Sequence, residues 1–273
     1  MTPGWLTIRR GTRPLVVTFP HTGWEIPAEI EDAFTSIPLA RKDTDWWVDQ
    51  LYGFVNEMGA TTIRTALSRS VIDANRDPSG ASLYPGQATT ELCPTITFDG
   101  EPLYKAGRQP DVDEIERRRR EYFQPYHDAV QAELDRLRAE HGRVVLYDAH
   151  SIRSEVPRLF GGLLPVFNIG SNRGETCAPS LAAQIEAICS SSRYPTVLDG
   201  RFRGGWTVRN YGQPRASVHA VQMELACRGY MDEPQDGNFN EGWPPPWNPA
   251  RAKQLIDVLR DVCGACLHFA EEI

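Results

Sequence analysis

The chain has 273 residues, 41% of them hydrophobic, and a formal net charge of -7, which suits one α/β domain over residues 1–273. The acidic balance and the lack of a basic stripe argue against a nucleic-acid partner. Because no stretch approaches the roughly 18 apolar residues of a membrane span, and the N-terminus lacks the apolar segment of a secretory signal, we expect a cytoplasmic protein without a membrane partner.

Short apolar runs rich in valine alternate with helical patterns along the chain. Strands are predicted at residues 14–19, 60–65, 70–73, 143–148, 196–199 and 217–225. Helices are predicted over residues 45–59, over 111–141 with a kink at Pro125, over 174–191 and over 248–271. This alternation predicts a mixed, mostly parallel sheet flanked by helices, with ligands bound beyond the carboxyl ends of its strands.

Two histidines follow predicted strands directly. His21 comes after the strand at 14–19, and His150 comes after the strand at 143–148. Both are therefore expected at the carboxyl edge of the sheet, where their rings are candidate ligands for a zinc ion. A structural role, in which each ring is only hydrogen-bonded, is the alternative for either histidine.

A catalytic zinc ion keeps three protein ligands and leaves one position for water. For the third ligand we favour Asp45, at the start of the first long helical pattern, over Asp43 and Glu25. Asp148 is a candidate acceptor for the ring N–H of a ligand histidine. The two-residue spacing along one strand argues against His150 as its partner.

An asparagine and an arginine stand together in the segment VIDANRDPSG, residues 71–80. A guanidinium beside an amide is a good receptor for a carboxylate, because Arg76 offers two parallel charged hydrogen bonds and Asn75 adds a third donor. In the alternative interpretation, Arg76 pairs with Asp73 or Asp77 and only holds a loop.

One glutamate interrupts the extended apolar run VHAVQMELACRG, residues 218–229. An unpaired buried carboxylate is unfavourable, so Glu224 needs a partner such as an arginine or a metal-bound water. Beside such a water it would act as a general base. The alternative is a partly exposed carboxylate on an edge strand.

Three of these segments, taken in order, resemble the zinc carboxypeptidase superfamily. IDANRDPSG resembles its asparagine–arginine motif, YDAHS resembles its second zinc histidine, and QMELACRG resembles the strand that carries its glutamate base. The first motif departs, because those peptidases place a glutamate ligand three residues after the first histidine, where Trp24 stands here.

A narrower resemblance covers residues 12–250. The segments FPHTGWEIP, DTDWWVDQLY, SRSVIDANRDPSG, GRFRGGWTVRNYGQP and ELACRGYMDE are similar to N-formylglutamate amidohydrolases, the deformylases that finish one route of histidine breakdown. The resemblance implies a phosphorylase/hydrolase-like α/β fold and the metal-dependent hydrolysis of N-formyl-L-glutamate to formate and L-glutamate.

The resemblance also implies roles for five residues. One zinc ion would be held by His21, Asp45 and His150, with the metal carboxylate displaced to the helix after the first strand. Glu224 would act as general base, and Arg69 would meet the charge that gathers on the formyl oxygen. The alternative for Arg69 is a structural salt bridge.

The implied substrate carries two carboxylates, so an acidic protein needs local basic pockets to hold it. Asn75 and Arg76 are predicted to hold one carboxylate. Arg209, with Arg203, is predicted to hold the other, and Tyr211 offers a hydroxyl beside them. An ordinary loop role is the alternative for Arg209.

Two other functions compete with this interpretation. The first is a zinc deacylase or carboxypeptidase that acts on another N-acyl amino acid. The second is a non-catalytic protein that binds dicarboxylates and no metal. A retained glutamate at position 224 speaks against the second, because a nearby carboxylate gives nothing to the binding of an anion.

Overall fold

A mixed sheet of seven strands forms the centre of the fold in the computed structural model, which describes residues 2–83, 85–86, 88–234, 237–239 and 242–272. The strands are β1 (Leu6–Arg9), β2 (Leu15–Phe19), β3 (Thr61–Thr65), β4 (Val144–Ile152), β5 (Phe167–Gly170), β6 (Thr196–Leu198) and β7 (Val218–Ala226). The helices are α1 (Ala28–Glu31), α2 (Ile37–Arg41), α3 (Val48–Leu51), α4 (Val112–Arg118), α5 (Gln124–His141), α6 (Pro179–Ser190), α7 (Trp206–Tyr211) and α8 (Pro249–Glu271).

The strands follow the order β1-β3-β2-β4-β7-β5-β6 across the sheet. Strands β3, β2, β4 and β7 run parallel, whereas β1 pairs antiparallel with β3, β5 pairs antiparallel with β7, and β6 runs parallel to β5. The prediction of a mixed, mostly parallel sheet is therefore confirmed. Because the central strands run in one direction, the residues that end β2, β4 and β7 meet at one edge.

Helices cover both faces of the sheet. In β2, Leu15 and Val17 pack with residues of α6 and α8, whereas Val16 packs with residues of α5 on the opposite face. Strands buried on both faces explain the continuous apolar runs of the sequence. None of the helices in the described part of the chain combines the length and the apolar character that a membrane span requires.

The strand predicted at residues 70–73 is wrong, because this segment forms turns. The Ser68 hydroxyl accepts a hydrogen bond from the Ser70 N–H at 3.2 Å, and the Asp73 carboxylate accepts one from the Asn75 N–H at 2.9 Å. Such local bonds from side chain to backbone compete with a strand ladder. The short strands β1 and β5 were not predicted, and α6 begins later than the predicted helix at 174–191.

The helix predicted over 111–141 is divided by a π turn at Arg119–Phe123, which separates α4 from α5. Pro125 lies in the first turn of α5, where its missing N–H is tolerated. From this helix, His127 Nε2 donates to the Ala74 carbonyl at 2.8 Å. Burial lowers the pKa of His127 to about 4, which keeps the ring neutral. Helix α5 therefore holds the turn that carries the residues on either side of Ala74.

Candidate active site

His21, Asp45 and His150 come together at the carboxyl edge of the sheet, and all three side chains are buried. One nitrogen or oxygen atom from each lies within 4.8 Å of the others. The Asp45 Oδ2 atom is 3.6 Å from His21 Nδ1 and 3.1 Å from His150 Nδ1. The structure thus groups the three residues that the sequence named.

This group fits a divalent cation by its chemistry. Two imidazole nitrogens and a carboxylate are ligands that zinc prefers. Within the described residues, His21 Nδ1 and Asp45 Oδ1 are buried without a hydrogen-bond partner. Buried polar atoms of this kind are rare, and a cation between them would satisfy both.

The backbone brings Asp45 to the histidines. The Asp45 N–H donates to the His21 carbonyl at 2.9 Å, which ties the segment before α3 to the end of β2. The helix predicted from residue 45 is shorter than expected, and Asp45 lies in the turn that precedes it. Of the alternative ligands, Asp43 accepts a hydrogen bond from the Phe98 N–H at 2.7 Å, and Glu25 is exposed.

Each histidine is oriented by a second carboxylate. His21 Nε2 lies 2.7 Å from Asp73 Oδ1, and His150 Nε2 lies 2.8 Å from Asp148 Oδ2. When each Nε2–H donates to its carboxylate, Nδ1 is left free of its proton for a cation. The inference that two residues along a strand place Asp148 too far from His150 is wrong, because both side chains project from the same face of β4 and meet at 2.8 Å.

Asp73 was missed as a residue of the metal site, since the sequence suggested only an ion pair with Arg76. Its Oδ1 atom accepts from His21 and from the Asn75 N–H, while Oδ2 lies 2.7 Å from Arg69 Nη2 and 3.6 Å from Arg76 Nη2. Burial raises the pKa of Asp73, but Arg76, His21 and Arg69 outweigh burial and hold it well below its ordinary value. The available signal was that an aspartate inside an apolar run needs several donors.

Arg69 makes the structural ion pairs that were its alternative role. Besides its bond to Asp73, its Nη1 atom lies 3.5 Å from Asp45 Oδ1. Its guanidinium also stacks 4.7 Å from the centre of the Phe98 ring. Arg69 also lines the same cavity as His21. Its predicted role, to stabilise negative charge that develops on a substrate oxygen, stays a prediction.

Glu224 lies on β7 directly opposite His150 on β4. The alternative of an exposed edge strand does not hold, because β7 lies between β4 and β5 and Glu224 is only 7% exposed. Burial, the largest influence, raises the pKa of Glu224 to about 7, and Asp45 adds to the rise while His150 opposes it. A carboxyl group that titrates near neutral pH can both take up a proton and return it.

A cavity of about 400 Å³ joins these groups. Residues 77–83 and 88–93 form part of its wall. Three arginines among the described residues reach its surface, namely Arg69, Arg76 and Arg201. The cavity therefore places three cationic side chains beside the metal-compatible group, together with the carboxylates of Asp77, Glu91 and Glu224.

Asn75 and Arg76 line this cavity, as the sequence predicted for a carboxylate receptor. The Asn75 amide is also part of the site framework: Nδ2 is 2.9 Å from His150 Nε2, and Oδ1 accepts from the Thr207 N–H at 2.8 Å. Arg76 donates to the Thr90 carbonyl at 3.1 Å and to its hydroxyl at 3.0 Å. Arg76 thus faces neutral acceptors in addition to Asp73.

Arg203, Arg209 and Tyr211 are not among the described residues that line the cavity. Arg209 donates to the Gly204 and Leu83 carbonyls, and the Tyr211 hydroxyl lies 3.1 Å from His127 Nδ1. Their contacts with a substrate stay predictions that this geometry does not favour.

Arg201 lines the cavity instead, and the sequence reasoning missed it. It donates to the Leu159 carbonyl at 2.9 Å and to the Ala88 carbonyl at 3.2 Å. It belongs to the same GRFRGGW segment as Arg203. The sequence pointed to the right segment, but nothing in its pattern distinguished two arginines that are two residues apart.

We expect the replacement of Gly205 by alanine to lower kcat/KM by about 10- to 100-fold, because small displacements of active-site residues lower the rate on this scale. A Cβ atom at Gly205 would collide with the side-chain amide of Asn75, which contacts His150. Gly53→Ala is the matched control, because a Cβ atom there meets nothing within 4 Å. The measurement is steady-state kinetics together with thermal unfolding, and equal activity of both variants would contradict the prediction.

The sequence and the fold match known proteins of one family. The family model described as N-formylglutamate amidohydrolase matches residues 13–231. An N-formylglutamate deformylase of Pseudomonas aeruginosa is 47% identical over 229 residues, which cover 84% of this chain and 86% of that protein. One of Pseudomonas putida is 41% identical over 255 residues, covering 93% and 95%. The crystal structure of N-formylglutamate amidohydrolase from Ralstonia eutropha JMP134 superposes with a TM-score of 0.78 at 23% identity and covers 99% of this chain and 98% of that one.

Proposed function

Because the chain belongs to the N-formylglutamate amidohydrolase family, we propose that it hydrolyses N-formyl-L-glutamate to formate and L-glutamate. One observation carries the proposal: a single cavity of about 400 Å³ brings together the metal-compatible histidines, the buried Glu224 and three arginines. Each part of the reaction has a chemical counterpart in that cavity.

One divalent ion, zinc by its preference for this donor set, would be held by His21, Asp45 and His150. When bound, such an ion polarises a carbonyl and lowers the pKa of water toward about 7. The protein's own part is to fix the ligands. Asp73 and Asp148 hold the two imidazole rings with Nδ1 directed toward Asp45.

Glu224 moves the proton in this proposal. It takes a proton from the attacking water and returns it to the amine of glutamate as the C–N bond of the formamide breaks. Its raised pKa fits both halves of that cycle. Arg69, held beside Asp45 and Asp73, contributes a fixed positive charge where the formyl oxygen becomes negative.

Two arginines that line the cavity are candidates to bind the two carboxylates of the substrate. Arg76, beside Asn75, is proposed for one carboxylate, because a charged partner would replace its neutral bonds to Thr90. Arg201 is proposed for the other, in place of Arg203 and Arg209, because it lines the cavity. The substrate would therefore be held at both ends while the formyl group faces Glu224.

The test is a comparison of three substrates: N-formyl-L-glutamate, N-acetyl-L-glutamate and N-formyl-L-leucine. We expect kcat/KM for N-formyl-L-glutamate to exceed that for N-formyl-L-leucine by about 10⁴-fold, because the leucine compound lacks the second carboxylate that one of the half-buried cavity arginines would bind. The measurement is release of formate or acetate at saturating zinc. Equal rates on all three substrates would contradict the assignment to N-formyl-L-glutamate. If none of the three is hydrolysed, the protein binds dicarboxylates without catalysis.

A further inference from the structure

Gln222 lies two residues before Glu224 on β7, so both side chains project from the same face of the sheet. It stands opposite Asp148 on β4, as Glu224 stands opposite His150. Gln222 is 4% exposed and lines the cavity. Gln222 is not one of the three metal-compatible residues, and the proposed hydrolysis gives its buried amide no role.

The orientation of the Gln222 amide is fixed by its neighbours. Its Oε1 atom accepts the Gly205 N–H at 2.7 Å and lies 3.5 Å from Asn75 Nδ2. A backbone N–H can only donate, so the oxygen of the amide must face Gly205. The Nε2 atom is thereby directed to Glu224, where it donates to Oε2 at 2.9 Å.

We propose that Gln222 is a positioning residue that holds the Glu224 carboxylate in the orientation required for proton transfer. This proposal rests on the proposed function, in which Glu224 is the general base. The bond from Gln222 engages Oε2 and leaves Oε1 as the oxygen that takes up and returns the proton. Gln222 itself exchanges no proton, because its amide is neutral and its oxygen is held by Gly205.

Gln222 also ties the start of α7 to β7. Gly205, the N-cap of α7, supplies the N–H that sets the direction of the Gln222 amide, and Thr207 in the first turn of α7 donates its N–H to the Asn75 side chain. The start of α7 therefore orients both Asn75, beside His150, and Gln222, beside Glu224. A displacement of about 1 Å in such a framework is enough to cost about 100-fold in rate.

The test is a double-mutant cycle with Gln222→Met and Glu224→Gln, measured by formate release. Methionine keeps the length of the side chain and removes both hydrogen bonds. We expect Gln222→Met to lower kcat by about 10- to 100-fold with little change in KM. In the Glu224→Gln background the same replacement should change kcat less than about threefold, because no base is left to position. Equal losses in both backgrounds would overturn the proposal.

A second variant separates this role from simple support of the start of α7. Gln222→Glu keeps an oxygen acceptor for the Gly205 N–H but, when ionised, has no hydrogen to donate to Glu224. We expect it to lose at least as much kcat as Gln222→Met at pH 9, with metal content and thermal unfolding measured for each variant. Activity equal to that of the unaltered protein would show that Gln222 only supports the start of α7 and would overturn the proposal.

The failure of this inference can be told apart from the failure of the proposed function. Formate release by the unaltered protein, and its loss in Glu224→Gln, test the function without any change at Gln222. If both hold and Gln222→Met keeps the kcat of the unaltered protein, only the positioning role of Gln222 is wrong.

Discussion

Replacement of Glu224 by glutamine is expected to lower kcat for formate release by about 10³-fold, within the range that general acid–base catalysis contributes. Glutamine has nearly the same shape as glutamate but cannot take up the proton of water at neutral pH. Glu224 is not one of the three grouped metal-compatible residues. The variant should therefore keep its metal and its fold while it loses turnover.

The measurement is steady-state formate release together with metal content after purification. Glu91→Gln is the matched control, because Glu91 also lines the cavity but is exposed, and its activity should stay close to that of the unaltered protein. Near-normal turnover by Glu224→Gln with metal bound would remove Glu224 as the base. Loss of metal along with turnover would instead make Glu224 part of the metal site.

The sequence predicted the parts of the site that follow from strand ends. His21, His150 and Glu224 lie on or after apolar runs, and parallel strands bring such positions to one edge of a sheet. The pattern around Asp45 predicted a helix over residues 45–59, but the α-helix there is only Val48–Leu51. The position of Asp45 depends on a backbone bond to the His21 carbonyl, and no periodicity encodes such a bond.

The parts that were missed depend on contacts between distant segments. Asp73 bonds His21 across 52 positions of the chain, and Gln222 bonds Gly205 across 17. Hydrophobic periodicity reports which face of an element is buried, but it does not report which polar side chains meet there. The choice of Arg201 over Arg203 has the same origin, because the wall of the cavity is built from loops without a period.

These contacts also explain why the site tolerates so many buried charges. Asp45, Asp73 and Arg69 are fully or nearly buried, and each has an oppositely charged or hydrogen-bonded partner. Buried ion pairs seldom add net stability, but the loss of one partner leaves an uncompensated charge. We infer that the network holds His21, Asp45 and Arg69 in fixed positions, because each of its buried charges is bound to a neighbour in the same site.

Replacement of Asp45 by asparagine is expected to weaken zinc binding by more than about 100-fold, since even the loss of a residue that only supports a metal ligand costs 10- to 100-fold. The neutral amide is a poorer ligand than a carboxylate. Its oxygen can keep the hydrogen bond from the Ser151 N–H at the Oδ2 position, 3.2 Å away. The NH₂ group then takes the Oδ1 position, 3.5 Å from Arg69 Nη1, and cannot coordinate a cation.

The measurements are zinc content after dialysis and the rise in Tm when zinc is added, because a ligand that binds only the folded state raises its stability. Asp45→Asn should show little zinc, little rise in Tm and almost no formate release. Glu25→Gln and Asp43→Asn are the controls, since these carboxylates were the alternative ligands but Glu25 is exposed and Asp43 is held by Phe98 and Arg153. If Asp45→Asn keeps its zinc while either control loses it, the third ligand is the control residue, and Asp45 only orients His150.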